Sequence, residues 1–536
     1  MARRPADGRA ASPSDPLSAP VKEPSVTGAD SLVRTATQAG VTVCFANPGT
    51  TELDVVRALD AAPNARAILC LFEGVCTGAA DGYARMTDTP AMTLLHLGAG
   101  LGNGVANLHN AQKARSRVIN IVGNHDISHI AHNSPLTSDI EGIARPVSDW
   151  VRSPTTPAGV ASDMAAAIRA VSGPAGGIAT LIAPADVLRE EGSGACPVPS
   201  LAPPSAGGDM SAAIAALRTG SVAALVLSGR ALSEEGMTAG ARIADATGCL
   251  VLQSAGTRVE RGAGLPQIHG YPGSASSVAE RLGSVRQVVL ADAARPVTFF
   301  KWPGEPSSLL PTGAEVIRLL DGGGDVTAAL EEVARAVGAA PAVDRTTTLE
   351  VPSAGVGELT VETAGRSIAA ALPEGAIVAN ESITSGGPFS SHSRACARHT
   401  SLSTGGGSIG WALPQATGAA VACPDRPVLA LSGDGGAMYT LQALWTQARE
   451  SLNVTNIIWA NREYAILRGS LRRFGVDPID GACDALTDLH DPCIDWAGLA
   501  RSVGVPGVRP ESAEALYDAV KRAVHEPGPH LIEVVV

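Results

Sequence analysis

The chain has 536 residues, 45% apolar and 17% charged, with a formal net charge of −12. That length fits three or four domains of ordinary size, and an acidic balance without a basic cluster argues against nucleic acid or an anionic membrane surface as a partner. Nine scattered cysteines with no CxxC pair, no 18-residue apolar span, and Arg3 and Arg4 with no apolar segment behind them lead to the expectation of a soluble cytoplasmic protein with neither zinc site nor disulfide framework.

Residues 1–27 are rich in Ala, Pro, Ser, Asp and Arg without periodicity and read as a disordered tail. From residue 28 the pattern alternates. A helix is expected over 28–40, a strand over 41–45, the loop Asn47-Pro48-Gly49-Thr50, and a helix over 52–59. An apolar run over 67–72 ends at Glu73 and leads into a small-residue helix over 76–85. A strand over 91–97 precedes a glycine-rich stretch, 98–104, which reads as a loop before a helix through residue 110. A further strand over 118–122 ends at Gly123-Asn124-His125. Strands alternating with helices at this spacing predict an α/β unit with a parallel sheet over 28–190. Residues 191–208 read as a linker. A second α/β unit over 209–340 carries strands at 223–227, 250–253 and 287–290. A second linker spans 341–358, and a third unit spans 359–536.

The most informative stretch is 428–461, VLALSGDGGAMYTLQALWTQARESLNVTNIIWAN. An apolar run stops at Gly433-Asp434-Gly435-Gly436, a turn no bulky side chain could make. A helix-like segment over 438–451 follows, and a second apolar run, 454–459, closes at Asn461. In a strand–helix–strand unit of a parallel sheet both strand ends lie on the ligand-binding edge. Asp434 and Asn461 can then converge on one cation, with Mg2+ the expected ion because it takes hard oxygen ligands and shares them with phosphate. The plainer alternative is an Asx turn capping a helix.

Several stretches together resemble the thiamine-diphosphate (ThDP) enzymes of the acetolactate synthase and benzoylformate decarboxylase group. They are Asn47-Pro48-Gly49-Thr50, Phe72-Glu73-Gly74 running into Ala79-Ala80-Asp81-Gly82-Tyr83-Ala84-Arg85, the glycine-rich stretch with Asn103-Gly104 and Ala106-Asn107, Gly406-Gly407-Ser408-Ile409-Gly410 leading to Leu413-Pro414, and Gly433-Asp434-Gly435 to Asn461. The resemblance implies three doubly wound α/β domains, namely a pyrimidine-binding domain, a central domain and a diphosphate-binding domain. It also implies a homodimer or homotetramer with the active site between subunits, and leaves room for a small regulatory subunit.

The resemblance also assigns roles. Glu73 would hydrogen-bond the cofactor pyrimidine, with burial raising its pKa. Asp434, Asn461 and the backbone carbonyl of Glu463 would hold Mg2+. Gly435, Gly436 and Ala437 open a helix whose N–H groups would face the diphosphate, with Thr384 adding a contact. Gly407 and Ile409 lie in the loop whose aliphatic side chain would wedge the cofactor into its bent form. His96 and Thr50 would contact substrate, with His125 a weaker candidate. A second active-site His of the decarboxylases falls near Lys301. Flavin adenine dinucleotide (FAD), a passenger in many acetolactate synthases, is compatible with Gly229-Arg230 after a strand. The overall character reads as acetolactate synthase-like, joining two 2-oxo acids after decarboxylation. The wording Tyr464-Ala-Ile-Leu467-Arg468 is nearer the alternative, a non-ligating 2-oxo acid decarboxylase. A catalytically inactive ThDP-binding paralogue is the remaining alternative.

Overall fold

Short apolar runs and amphipathic helices build three sheets. The structure, a computed structural model, describes residues 25–199, 208–254, 257–271, 275–320, 324–343 and 346–536. Most of the predicted tail (1–27) and parts of both predicted linkers (191–208 and 341–358) lie outside the described residues.

The first sheet holds β1 (Val43–Asn47), β2 (Arg66–Leu69), β3 (Ala91–Leu95), β4 (Val118–Asn124), β5 (Trp150–Arg152) and β6 (Ile178–Pro184), all parallel in the order β2-β1-β3-β4-β6-β5. The second holds β7 (Ala223–Leu227), β8 (Leu250–Gln253), β10 (Gln287–Ala291) and β11 (Glu315–Arg318) in the parallel order β11-β10-β7-β8. The third holds β12 (Ala376–Glu381), β13 (His399–Leu402), β14 (Val428–Gly433), β15 (Val454–Ala460), β16 (Gly507–Val508) and β17 (His530–Val535). They run in the order β16-β17-β15-β14-β12-β13, and the edge beyond β13 is β9 (Arg258–Arg261), which leaves the middle segment and pairs antiparallel with β13. Continuous apolar runs such as β14 and β15 are buried along their lengths, as strands covered on both faces must be.

The apolar run over 67–72 contributes β2, an edge strand that pairs only with β1, and Leu71 beyond it is exposed. Two local expectations are corrected. The glycine-rich stretch 98–104 is helical, inside Leu97–Ala114. Its glycines serve close packing: a Cβ on Gly98 would overlap Ser138 Oγ, and one on Gly104 would lie 2.8 Å from Thr77 Cγ2. The helix expected over 438–451 is split into Asp434–Ala437 and Ala443–Arg449.

One helix crossing joins the first and third sheets. Helix Glu73–Thr87 packs on helix Ala412–Ala422 through glycines and alanines. A Cβ on Gly418 would overlap Ala79 O, one on Gly82 would overlap Gln415 O, and one on Gly78 would lie 2.6 Å from Pro414 Cβ. Backbones therefore touch, and the charged groups trapped beside them are paired, although Gln415 Oε1 is buried without a hydrogen-bond partner among the described residues. Arg85 forms a buried two-point ion pair with Asp81 (Nε–Oδ1 and Nη2–Oδ2 both 2.7 Å), and Gln415 Nε2 donates to Asp81 Oδ2 at 2.7 Å. Arg85 Nη1 also donates to Thr257 O and Ser403 O, so one guanidinium binds all three parts of the chain. Gly418→Val forces this crossing apart and is expected to cost about 1–3 kcal/mol, read as a lower urea midpoint; an unchanged midpoint would show that the close approach is not needed.

Candidate active site

The C-terminal edge of the first sheet gathers Thr50, His96 and Glu73. Asn47 and Leu95 are paired in register, so the loops leaving β1 and β3 lie side by side. Gly49 has no room for a side chain, because a Cβ there would overlap the His96 ring. His96 Nδ1 lies 2.8 Å from Glu52 Oε2, which also accepts from Gly49 N at 2.7 Å, while Thr51 Oγ1 donates to Glu52 Oε1 at 2.6 Å. Glu52 is fully buried. A carboxylate can only accept, so Nδ1 carries the proton and Nε2 is the free ring nitrogen. Gly123 leaves space for this carboxylate, since a Cβ there would overlap Glu52 Oε1. Thr50 is exposed at the start of the single turn Thr50–Glu52. His125 is turned to Ser134, 3.1 Å from its hydroxyl, and its ring packs on His129 rather than on His96.

Glu73 is the first residue of its helix and is buried. Asn103 Nδ2 donates to Glu73 Oε2 at 2.9 Å, fixing the carboxyl from the neighbouring glycine-rich helix. Gly100 gives it space, since a Cβ there would lie 3.0 Å from Glu73 Oε1.

At the third sheet, β14 and β15 run parallel to the pair Gly433 and Trp459, which brings Asp434 to the Asn461–Glu463 segment. Asp434 Oδ2 accepts from Arg462 N at 2.7 Å and Oδ1 from Gly435 N at 2.8 Å. Burial pushes the Asp434 carboxyl up, opposed by those N–H groups. The Glu463 side chain is paired with Arg468, 3.2 Å away. Asn461 Oδ1 accepts from Glu463 N at 3.4 Å; Asp434, Asn461 and the Glu463 carbonyl offer only hard oxygens, of the kind that could hold Mg2+ together with phosphate and water. Among the described residues no cluster of three His, Cys, Asp or Glu offers a competing metal site. Gly435, Gly436 and Ala437 belong to the helical turn that Asp434 begins, and a Cβ on Gly435 would lie 2.5 Å from the Tyr464 ring. Thr384 is exposed on the loop leaving β12, next to Ile383 at φ +44°. Leu97 (φ +50°), after His96, and Arg462 (φ +56°), between Asn461 and Glu463, are also left-handed. Backbone strain in non-glycine residues thus flanks four of the candidate positions, Thr384, His96, Asn461 and Glu463.

The loop Gly406–Gly410, with Gly407 and the half-buried Ile409, is held from two sides. From the first sheet, Asn110 Nδ2 donates to Ser408 O (2.9 Å), Asn110 Oδ1 accepts from Ser408 N (3.1 Å), and Asn107 Nδ2 is shared by Gly74 O and Gly410 O. The Glu73 helix and the Ile409 loop are thereby tied within one chain. From the third sheet, buried Glu381 accepts the N–H groups of Gly410, Trp411 and Ala412. Burial pushes the Glu381 carboxyl up to about 7, with those N–H groups and the Ser432 hydroxyl pulling it down. Gly436 lies beside it; a Cβ there would sit 3.5 Å from Glu381 Oε1.

The middle segment contributes aromatic residues. Phe299, Phe300, Trp302 and Phe474 form a series of ring contacts with centroids 4.7, 6.3 and 5.3 Å apart. Phe299 faces Gly407, where a Cβ would overlap its ring, and Arg473 lies over Trp302 at 4.4 Å. Lys301 is turned back to Glu305 O. Glu52, Asn103, Glu381 and this aromatic series were not singled out from the sequence as site residues. Only the density of aromatics in FFKW, within a chain that is 3% aromatic, was a visible signal.

Residues 26–143 match the family described as "Thiamine pyrophosphate enzyme, N-terminal TPP binding domain", and residues 389–534 match "Thiamine pyrophosphate enzyme, C-terminal TPP binding domain". The chain is similar to "Putative acetolactate synthase large subunit IlvX" of Mycobacterium tuberculosis, with 46% identity over 515 residues covering 95% of this chain and 99% of the relative. It is 28% identical to benzoylformate decarboxylase of Pseudomonas aeruginosa, over 92% of this chain and 96% of that protein. The solved ThDP-dependent 4-hydroxybenzoylformate decarboxylase of Rhodococcus jostii RHA1 superposes with a TM-score of 0.82 at 26% identity, covering 95% of this chain and 99% of its own.

Glu381 gives a pH test. Its folded value lies above the ordinary 4.5, so its stabilising contribution is full below that value and is lost as pH rises through about 7. The stability advantage of the wild type over Glu381→Gln is therefore expected to shrink between about pH 5 and about pH 8, by about 3 kcal/mol at most. Denaturant midpoints of the two proteins across that range check it, and a pH-independent difference would contradict it.

Proposed function

The chain belongs to the thiamine-diphosphate-dependent enzymes of the acetolactate synthase and benzoylformate decarboxylase group, and from that premise we propose that it decarboxylates a 2-oxo acid bearing an aryl or similarly bulky apolar side chain and releases the aldehyde. It acts on 2-oxo acids as a decarboxylating enzyme; the side chain, the release of aldehyde and the site roles below are the proposal. The observation that carries it is the aromatic series Phe299, Phe300, Trp302 and Phe474 beside Gly407, on the same side as the Ile409 loop. A methyl-sized substrate side chain needs no such surface, whereas a ring gains from stacking and from displaced water. The names of the decarboxylases it resembles along nearly their whole length agree with this reading. Joining of two 2-oxo acids is the second reading, favoured by the 46% identical relative named as an acetolactate synthase subunit.

When bound, ThDP supplies the carbon nucleophile and the electron sink for the pair left by CO2. Glu73, set by Asn103, would hydrogen-bond the pyrimidine and hold or release a proton there. Asp434, Asn461 and the Glu463 carbonyl would hold Mg2+ against the diphosphate, with Gly435, Gly436, Ala437 and Thr384 lining it. Ile409 would support the ring junction in a loop fixed by Asn110 and Glu381. His96 would present Nε2 to the substrate edge, with Thr50 as a neighbouring hydroxyl; Nε2 would first take up a proton, and the imidazolium, supported at Nδ1 by Glu52, would then give it to the aldehyde product. Met438, Tyr439, Ile383, Ile466 and Leu467 are exposed around the Asp434 turn, an apolar rim that a second copy of the chain would cover in a dimer or tetramer.

A panel of 2-oxo acids with ThDP and Mg2+, with products followed by NMR, tests the reading. Aldehyde and CO2 from aryl substrates are expected. Acetolactate from pyruvate would move the assignment to the synthase, and no turnover of any substrate would leave a paralogue that binds cofactor only. Glu73→Gln is expected to lower kcat by about 10²-fold or more; unchanged turnover would remove Glu73 from the chemistry. Phe299→Ala is expected to reduce kcat/KM for an aryl 2-oxo acid about tenfold relative to an aliphatic one, whereas an equal loss on both would detach the aromatic series from substrate choice.

A further inference from the structure

A cavity of about 1180 Å³ lies away from the catalytic edge, where the middle sheet meets the first. It opens at the C-terminal ends of β7 and β10. The strand order β11-β10-β7-β8 reverses direction between those two neighbours, and in open parallel sheets that crevice is where nucleotides bind. The walls are cationic. Lys113, Arg295 and Arg318 line the cavity without an ion pair among the described residues. The turn after β7 is Ser228-Gly229-Arg230, with Gly229 at φ +51°, the kind of glycine turn whose N–H groups cradle a phosphate. Size, charge and turn would all suit FAD or an adenosine diphosphate.

The cradle, however, already holds an anion from the chain itself. Asp292, directly after β10, accepts the Arg230 N–H on Oδ2 at 2.9 Å. A Cβ on Gly229 would overlap that same oxygen, so the carboxylate lies flat against the glycine that would otherwise receive phosphate. Arg115 neutralises it from the first sheet's side, with Nη1 2.7 Å from Asp292 Oδ1 and Nη2 donating to Asp292 O at 2.9 Å. Asp292 is itself left-handed at φ +52°, a conformation that costs an aspartate some strain and a glycine none. A bound diphosphate would have to displace this carboxylate or share N–H donors with a like charge.

We propose that Asp292 is a built-in counter-anion that fills the phosphate position of the middle crevice, so that this chain takes neither FAD nor adenosine diphosphate there. The crevice then works as an internal joint, Arg115–Asp292–Gly229, between the first and second sheets. Nothing in the proposed decarboxylation depends on it.

The ThDP- and Mg2+-loaded protein is titrated with FAD and with ADP by calorimetry, with FAD fluorescence as a second readout. Wild type is expected to bind neither. Asp292→Gly relieves the left-handed backbone and clears the turn, and is expected to bind ADP at concentrations where wild type shows no binding, a gain of about tenfold or more over the wild-type detection limit. Arg115→Met loosens the joint but leaves the carboxylate in place, and is expected to bind no better than wild type. Stoichiometric FAD or ADP on the wild type would overturn the proposal. So would Asp292→Gly binding no ADP, or Arg115→Met binding it as well as Asp292→Gly.

Discussion

Backbone contact between two helices is the constraint on which the rest of this structure depends. Glu73–Thr87 and Ala412–Ala422 cross so closely that Gly82 and Gly418 can carry no side chain. Helices usually pack through interlocking side chains at interaxial distances of about 8–10 Å; here small residues remove that layer. The result places the residue that begins one helix, Glu73, near the loop that begins the other, Gly406–Gly410. Asn107 registers the outcome by donating to both Gly74 O and Gly410 O. Little apolar area comes from side chains this small, and the crossing is secured instead by the charge-assisted bonds of Asp81, Arg85 and Gln415.

Buried carboxylates recur as fixing points, and each does a different task. Asp81 neutralises the guanidinium that reaches all three parts of the chain. Glu52 orients His96. Glu381 gathers three consecutive N–H groups at the start of Ala412–Ala422 and sets the loop before them. An uncompensated carboxylate in an apolar interior is costly, so each of these must be met by donors. They are, and that is why the loops they hold have one arrangement. Of the left-handed residues near the site, Arg462 is held by its N–H bond to Asp434.

Much of the candidate site could be proposed from sequence because its signals are local. Asp434 and Asn461 each follow an apolar run, and a glycine turn marks the bend; these are short-range facts of sequence. Glu73 stood out in the same way. Glu52, Asn103 and Glu381 did not, because their roles come from partners 44, 30 and 29 to 31 residues away. The stretch 98–104 misled for a physical reason. Glycine disfavours a helix by about 1 kcal/mol relative to alanine, yet here tertiary packing against Ser138 and Thr77 outweighs that preference. Asp292 was silent as well; only a folded chain shows that it occupies the turn after β7.

The third sheet does not end where its own segment does. Its edge strand β9 comes from the middle of the chain, and Thr400 Oγ1 reaches Glu260 Oε2 at 2.8 Å across 140 residues. A fragment beginning after the middle segment would therefore keep every strand from β12 to β17 and still present β13 as an open edge, with a row of unsatisfied amides and carbonyls. Such an edge invites pairing with any extended chain at hand. On the ribosome β9 is made well before β13, so the cap is waiting when the edge appears. The order of synthesis thus protects a surface that excision of the C-terminal part would leave sticky.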